Sequence, residues 1–224
     1  MKATLGFDLP EYLHELAFPE YLIKNRMELI RLCVKTCREL TMYTPQEVNT
    51  IKQSRLVLKR DKMSRIFYFS EKKYLSLSVP LGIRLTNSNM PSFHYDGYTI
   101  DSEMWSKIIE RSNFDNDEWM DDDWFLNYPT SIDPAFRRFE NLYRHLLGAE
   151  YGYVRYDYDL AGYREAVAKK KEHHHPLHHC DIHLASESTF KIGLKGKISE
   201  LQFIEILDNE QMRWYMNRHD KVNK

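Results

Sequence analysis

The stretch His173-His174-His175-Pro176-Leu177-His178-His179-Cys180-Asp181-Ile182-His183 holds six of the chain's ten histidines, and its reading decides how the remainder is assembled. Pro176 disfavours helix in the residue before it and has no N–H to give a ladder, so the chain enters extended and becomes a strand afterwards. From Leu177 the pattern alternates. Cys180, Ile182 and Leu184 fall on one face, and His179, Asp181 and His183 fall on the other at a spacing of two. The apolar face belongs to a core. The opposite face groups imidazoles with a carboxylate, which is what proton transfer or metal ligation needs. A hydrogen-bonded structural network on a half-buried strand is the competing reading, and His173 and His174 fit a solvated loop. Metal is the less favoured form of a site, because zinc clusters usually add a Cys pair or a helical His-x3-His arrangement, and Cys180 points to the other face.

Working outward, Tyr151–Asp159 also alternates, with Tyr151, Tyr153, Arg155, Asp157 and Asp159 on one face. Arg155 and Asp157 are neighbours on it, and if this strand lies beside the histidine strand, its polar face adds a guanidinium and a carboxylate to the imidazoles. Thr189–Leu194 reads as a further strand, and the charged segment Leu160–Glu172 between them as a helical connection. Ser199 caps a last helix from Glu200 to about Arg218. Toward the N-terminus, Asp133-Pro134 opens a helix to about Leu147 with Gly148 as its stop, and Asp101–Arg111 forms another. Candidate strands are Arg55–Lys59, Arg65–Ser70, Tyr74–Val79 and Gly82–Thr86, most simply a meander, with a loop over Thr86–Gly97. The acidic run Asp115–Asp123 reads as a solvated turn. A long helix is expected from Glu20 to about Thr41 and a short one from Thr44 to about Gln53. Together these predict an α+β fold, a mostly antiparallel sheet with helices packed on one side, in a single domain over residues 1–224. Within it a helical portion covers about 1–54 and a sheet-containing body about 55–224.

Composition narrows the function classes. Lys and Arg number 32 against 33 Asp and Glu, a formal charge of −1, so no global field favours nucleic acid or an acidic membrane surface. Local attraction would come from a patch such as Lys52, Arg55, Lys59, Arg60, Lys62, Arg65, Lys72 and Lys73, which equally reads as ordinary edge and turn charges. Three sparse cysteines, no apolar run near the length of a membrane span and an acidic N-terminal stretch lead to the expectation of an unexported, cytoplasmic protein without a membrane partner.

Three signatures in the last third lie in order: Arg155-Tyr156-Asp157-Tyr158-Asp159, then His175-Pro176-Leu177-His178-His179-Cys180-Asp181-Ile182, then Phe190-Lys191-Ile192-Gly193 followed by Ser199 through Phe203-Ile204-Glu205-Ile206-Leu207. Over roughly residues 150–208 they resemble the DUF2290 family of uncharacterised bacterial proteins. That family's motif is a His-Pro-x-x-His-x-His run followed by a basic residue. His175, Pro176, His179 and Lys191 match it, whereas Asp181 stands where a histidine is expected. The departure weakens a mechanism needing two imidazoles and leaves His179 with a carboxylate neighbour.

The first functional expectation is a phosphodiesterase or nuclease-like effector of phage-defence or toxin type. His175 or His179 would act as acid or base, Asp181 or Asp157 would orient an imidazole, and Arg155 with Lys191 would neutralise a phosphate; no cofactor or metal is called for. Its partner would be a nucleic acid or nucleotide. The alternative is a non-catalytic component of a defence or toxin–antitoxin system that binds a protein partner through its many aromatic residues, 15 Tyr, 11 Phe and 4 Trp. A third is a metal-binding protein using His175, His179, Asp181 and His183. The chain has no Gly-rich phosphate loop, nucleophile elbow or Walker sequence to choose among them.

Overall fold

Alternation of apolar residues is realised as a seven-stranded sheet covered on both faces. The computed structural model describes residues 3–23, 25–45, 55–60, 64–113, 133–185 and 188–208. Its strands are β1 (Ala3–Asp8), β2 (Arg55–Arg60), β3 (Arg65–Phe69), β4 (Lys73–Ser78), β5 (Gly82–Leu85), β6 (Pro91–Tyr95), β7 (Tyr98–Thr99), β8 (Val154–Tyr158), β9 (His178–Ala185) and β10 (Ser188–Leu194). Its helices are α1 (Glu11–Ala17), α2 (Arg26–Leu40), α3 (Ser102–Ser112), α4 (Pro134–Gly148), α5 (Leu160–Ala168) and α6 (Glu200–Ile206). The large sheet runs β1-β2-β3-β4-β8-β9-β10 with every neighbouring pair antiparallel, and β5-β6-β7 form a second, small sheet. The fold is α+β.

Two cores follow from the pleat. Leu56, Leu58, Ile66, Tyr68, Leu75, Leu77 and Tyr153 share the larger core with residues of α1, α2, α3 and α4. Val57, Phe67, Phe69, Tyr74, Tyr156 and Cys180 face the other way and pack on Phe203 of α6. Strand β3 is consequently buried at every position. Arg65 within it gives its guanidinium to Ser76 Oγ, Ser78 Oγ and the Gly152 carbonyl, and burial draws its pKa down to about 10. Most helices lie on one face of the sheet, and α6 covers part of the other.

Several sequence expectations need correction. Helix α2 starts at Arg26 rather than Glu20, because Asn25 Oδ1 accepts from the Met27 N–H and caps it; Leu22 and Ile23 belong to the preceding segment. The N-terminal portion is not wholly helical, since β1 joins the large sheet beside β2. The meander holds for β2-β3-β4, but β5 leaves it to pair with β6. Thr86–Gly97 is not simply a loop. Asp96-Gly97, at φ 45° and 81°, makes the tight turn between paired Tyr95 and Tyr98, a short-range hairpin signal that the prediction overlooked. The basic patch is partly spent: Arg65 is buried, Arg55 pairs with Glu200 and Lys59 with Asp208. The last helix, expected from Glu200 to about Arg218, ends at Ile206 with Leu207 as its C-cap; residues 46–53 of the short helix expected from Thr44, residues beyond 208 and the acidic run 115–123 fall outside the described residues. Among those described, no helix is long and apolar enough to cross a membrane.

Candidate functional site

Strands β8, β9 and β10 bring the polar residues together by register. Arg155 lies opposite Asp181, which lies opposite Lys191; Asp157 lies opposite His179, which lies opposite Gly193. Residues directly opposite share a face of the sheet, so the five polar side chains project on the side of the larger core, beyond its apolar part. The expected adjacency of the two polar strands is realised as direct pairing.

The network is closely bonded. Arg155 Nε donates to Asp157 Oδ2 at 2.7 Å and its Nη1 to the Tyr21 carbonyl at 2.8 Å, while Nη2 stands 4.0 Å from Asp181 Oδ2. Lys191 Nζ sits 2.9 Å from Asp181 Oδ1, 3.1 Å from Asp181 Oδ2 and 2.9 Å from His179 Nε2. His179 Nδ1 lies 2.7 Å from the Pro176 carbonyl, which can only accept. Nδ1 therefore carries the proton, and Nε2 presents its lone pair to the Lys191 ammonium, which can only donate. Two cations, Arg155 and Lys191, then balance two carboxylates, Asp157 and Asp181. Burial opposes the charge of Arg155, yet Asp157 beside it raises its pKa above the ordinary value; burial opposes the charge of Asp181, yet the Lys191 ammonium bonded to it holds its carboxyl below the ordinary range.

Depth separates these residues into two tiers. His179 is 1% exposed, Asp181 2%, Asp157 3% and Arg155 7%. The Lys191 side chain is 35% exposed, and a second pair stands at similar depth: His175 Nε2 donates to Asp159 Oδ2 at 2.8 Å, with side chains 30% and 39% exposed. The His175 and His179 rings are 5.0 Å apart at 68°, edge to face, so the exposed pair rests on the buried network. Asp159 also caps α5 through Oδ1, which accepts from the Gly162 N–H at 2.9 Å. Burial works to raise the Asp159 carboxyl, but the Gly162 N–H and His175 outweigh it and lower its pKa.

Every residue predicted for the site is therefore in or against one cluster: Arg155, Asp157, His179 and Asp181 in the buried tier, Lys191 and His175 at its exposed end. The predicted partnerships change. Asp159, not Asp157 or Asp181, orients His175, and Arg155 is committed to Asp157 and a backbone carbonyl instead of standing open to a phosphate. His183 stays outside: its Nδ1 meets Thr189 Oγ1 at 3.0 Å and its ring meets Tyr153 edge-on. Two residues had been overlooked. Asp159 had a local signal, an Asp at the strand end opening a helix; Tyr153, buried on the same face, had only its parity with Arg155. Among the described residues, the group whose ligand atoms converge as a metal would require is Asp157, His179 and Asp181, all within 4.8 Å of one another, not His175, His179, Asp181 and His183.

Fold and cluster define an α+β protein with an ionic, histidine-bearing site on three neighbouring strands. No family model, curated protein or solved structure matches the chain.

Proposed function

We propose that the protein is a phosphodiesterase or nuclease of the bacterial phage-defence or toxin kind, acting on a nucleic acid or nucleotide at the exposed end of the β8–β9–β10 cluster. The observation that carries this reading is the half-exposed His175–Asp159 contact, whose imidazole packs edge to face on His179. A carboxylate that accepts from Nε2 fixes the ring and leaves Nδ1 free to take or give a proton, the arrangement of an oriented acid–base catalyst. Lys191 is the cluster's partly exposed cation, and a phosphate at that surface would compete with Asp181 for it. The resemblance of His175, Pro176, His179 and Lys191 to a bacterial family motif supports treating these positions as one unit.

The test is hydrolysis of single-stranded RNA, single-stranded DNA and bis(p-nitrophenyl) phosphate by purified protein. His175→Ala should lower the rate by about 10²-fold or more while the thermal midpoint moves little, as expected for loss of an acid–base group. A folded wild type inactive on all three substrates, or a His175→Ala variant as active as wild type, would defeat the proposal.

The alternative, a non-catalytic component that binds a protein partner, is favoured by Phe190 of β10 and Leu201 of α6, large apolar side chains left 45% and 64% exposed. It predicts that Phe190→Ser abolishes the biological effect while His175→Ala does not.

A further inference from the structure

The buried tier has chemistry that the exposed pair does not use. Asp157, His179 and Asp181 converge two carboxylates and one imidazole within 4.8 Å, and none of the three is more than 3% exposed. The imidazole nitrogen that faces inward is the one bearing a lone pair, because Nδ1–H is committed to the Pro176 carbonyl. That second bond orients the ring as a backbone carbonyl orients a metal-ligating histidine, and Arg155 Nε on Asp157 Oδ2 does the same for a carboxylate. The donors already hold a cation, the Lys191 ammonium, seated on His179 Nε2 and both oxygens of Asp181. Lys191 alone of the cluster has a path outward, its side chain being about a third exposed.

A second observation points to a missing partner on the same face of the sheet. Tyr153 is 1% exposed on the same face, two residues before Arg155, and its hydroxyl has no hydrogen-bond partner. The Ile23 backbone and the Arg155 side chain approach it without reaching bonding geometry, and it is near enough to Arg155 and Asp157 for both charges to act on it. An unpaired buried hydroxyl costs about 1–3 kcal/mol unless something fills the role.

We propose that Asp157, His179 Nε2 and Asp181 form a divalent-cation site in which the metal takes the place of the Lys191 ammonium, which swings outward, with a metal-bound water in reach of the Tyr153 hydroxyl. Two carboxylate oxygens and one imidazole suit a first-row divalent ion such as Mn²⁺ or Zn²⁺ over one that demands oxygen ligands alone. Metal on this tier would also free Lys191 to meet an anion at the exposed end. The inference rests on the location of the proposed active site and not on its hydrolytic activity.

The experiment is calorimetric titration of chelator-stripped, full-length protein with MnCl₂, with bound Mn²⁺ counted independently by electron paramagnetic resonance. One Mn²⁺ per chain is expected. Asp157→Asn should weaken it by tenfold or more. Lys191→Met should tighten it by about tenfold, because removing the competing ammonium leaves the binding-competent form populated at the outset. Lys191 is partly exposed, so this variant keeps the test decisive even where the buried Asp157→Asn substitution does not fold. No stoichiometric Mn²⁺ on folded wild type and folded Lys191→Met, unchanged affinity in Lys191→Met, or undiminished binding by a folded Asp157→Asn would each overturn the site. Hydrolysis is read separately with and without EDTA: Mn²⁺ binding without hydrolysis removes only the proposed function, and EDTA-resistant hydrolysis without Mn²⁺ binding removes only the metal site.

Discussion

His175 and His179 lie four residues apart and meet opposite surroundings. His179 joins three strands' worth of buried charge, with Pro176, Lys191 and Asp181 about it, so its removal should register first as lost stability. His179→Ala takes an acceptor from the Lys191 ammonium and a donor from the Pro176 carbonyl, and a loss of about 1–3 kcal/mol in urea unfolding is expected. A loss below about 0.5 kcal/mol would show that the network does not depend on it. Two glycines make the close approaches possible. A Cβ at Gly193 would stand 2.8 Å from Pro176 Cγ, and one at Gly162 would stand 2.6 Å from Asp159 Oδ2 and collide with His175 Nε2. The obstacle at Gly193 is a ring fixed in the chain, so Gly193→Ala should cost about 1–3 kcal/mol by overpacking and displace the Pro176 carbonyl from His179. At Gly162 the obstacles are side-chain ends that can turn aside. Gly162→Ala should therefore leave the unfolding midpoint nearly unchanged while separating His175 from Asp159, visible as a shift of the His175 imidazole NMR signals.

Among the elements, α6 shows how a local signal serves a distant surface. Ser199 Oγ accepts from the Gln202 N–H at 3.1 Å and the Gln202 side chain accepts from the Ser199 N–H at 2.8 Å, a complete capping box. This holds a seven-residue helix that would be marginal alone and places Phe203 against Phe67, Phe69 and Tyr74. Ser199→Ala should lower stability by about 1 kcal/mol, measured by denaturant unfolding. Strand β9 behaves differently, because both its neighbours are strands and its polar face is buried as deeply as its apolar one. The two-residue period told which side chains share a face, but not that the polar face would be covered.

For the molecule as a whole, acid should be the destabilising direction. Burial, with Arg84 nearby, lowers the pKa of His94; burial, with Lys197 and His179 nearby, lowers that of His178. Asp159 and Asp181 are lowered as well, their hydrogen-bond partners outweighing burial. Each group holds fewer protons folded than unfolded. Its contribution is complete above the unfolded pKa and is lost as pH falls through the folded value. The histidines act first, below roughly pH 6.5, and the carboxylates below roughly pH 4. The thermal midpoint should therefore fall in two stages between about pH 7 and pH 3. A midpoint unchanged from neutral pH to pH 4 would contradict the histidine part.

Strand parity, the caps at Asp101, Asp133 and Ser199, and the grouping of His179 with Asp181 were legible in the sequence because each depends on residues only a few positions apart. The residues of the candidate site were legible for the same reason, being concentrated on two alternating strands and one that follows. What the tertiary structure decided is what lies beside and above them. Strand β8 inserts next to β4 after a long excursion through the small sheet, α3 and α4, and no local period specifies that pairing. The Tyr21 carbonyl reaches Arg155 across 134 positions of sequence, and Asp159 reaches His175 across 16. Side-chain direction in a strand is set by its own backbone, whereas depth and partnership are set by whatever packs against it; thus, of the two histidines expected to share one role, His179 is buried and His175, nearer the loop, keeps about a third of its side chain exposed.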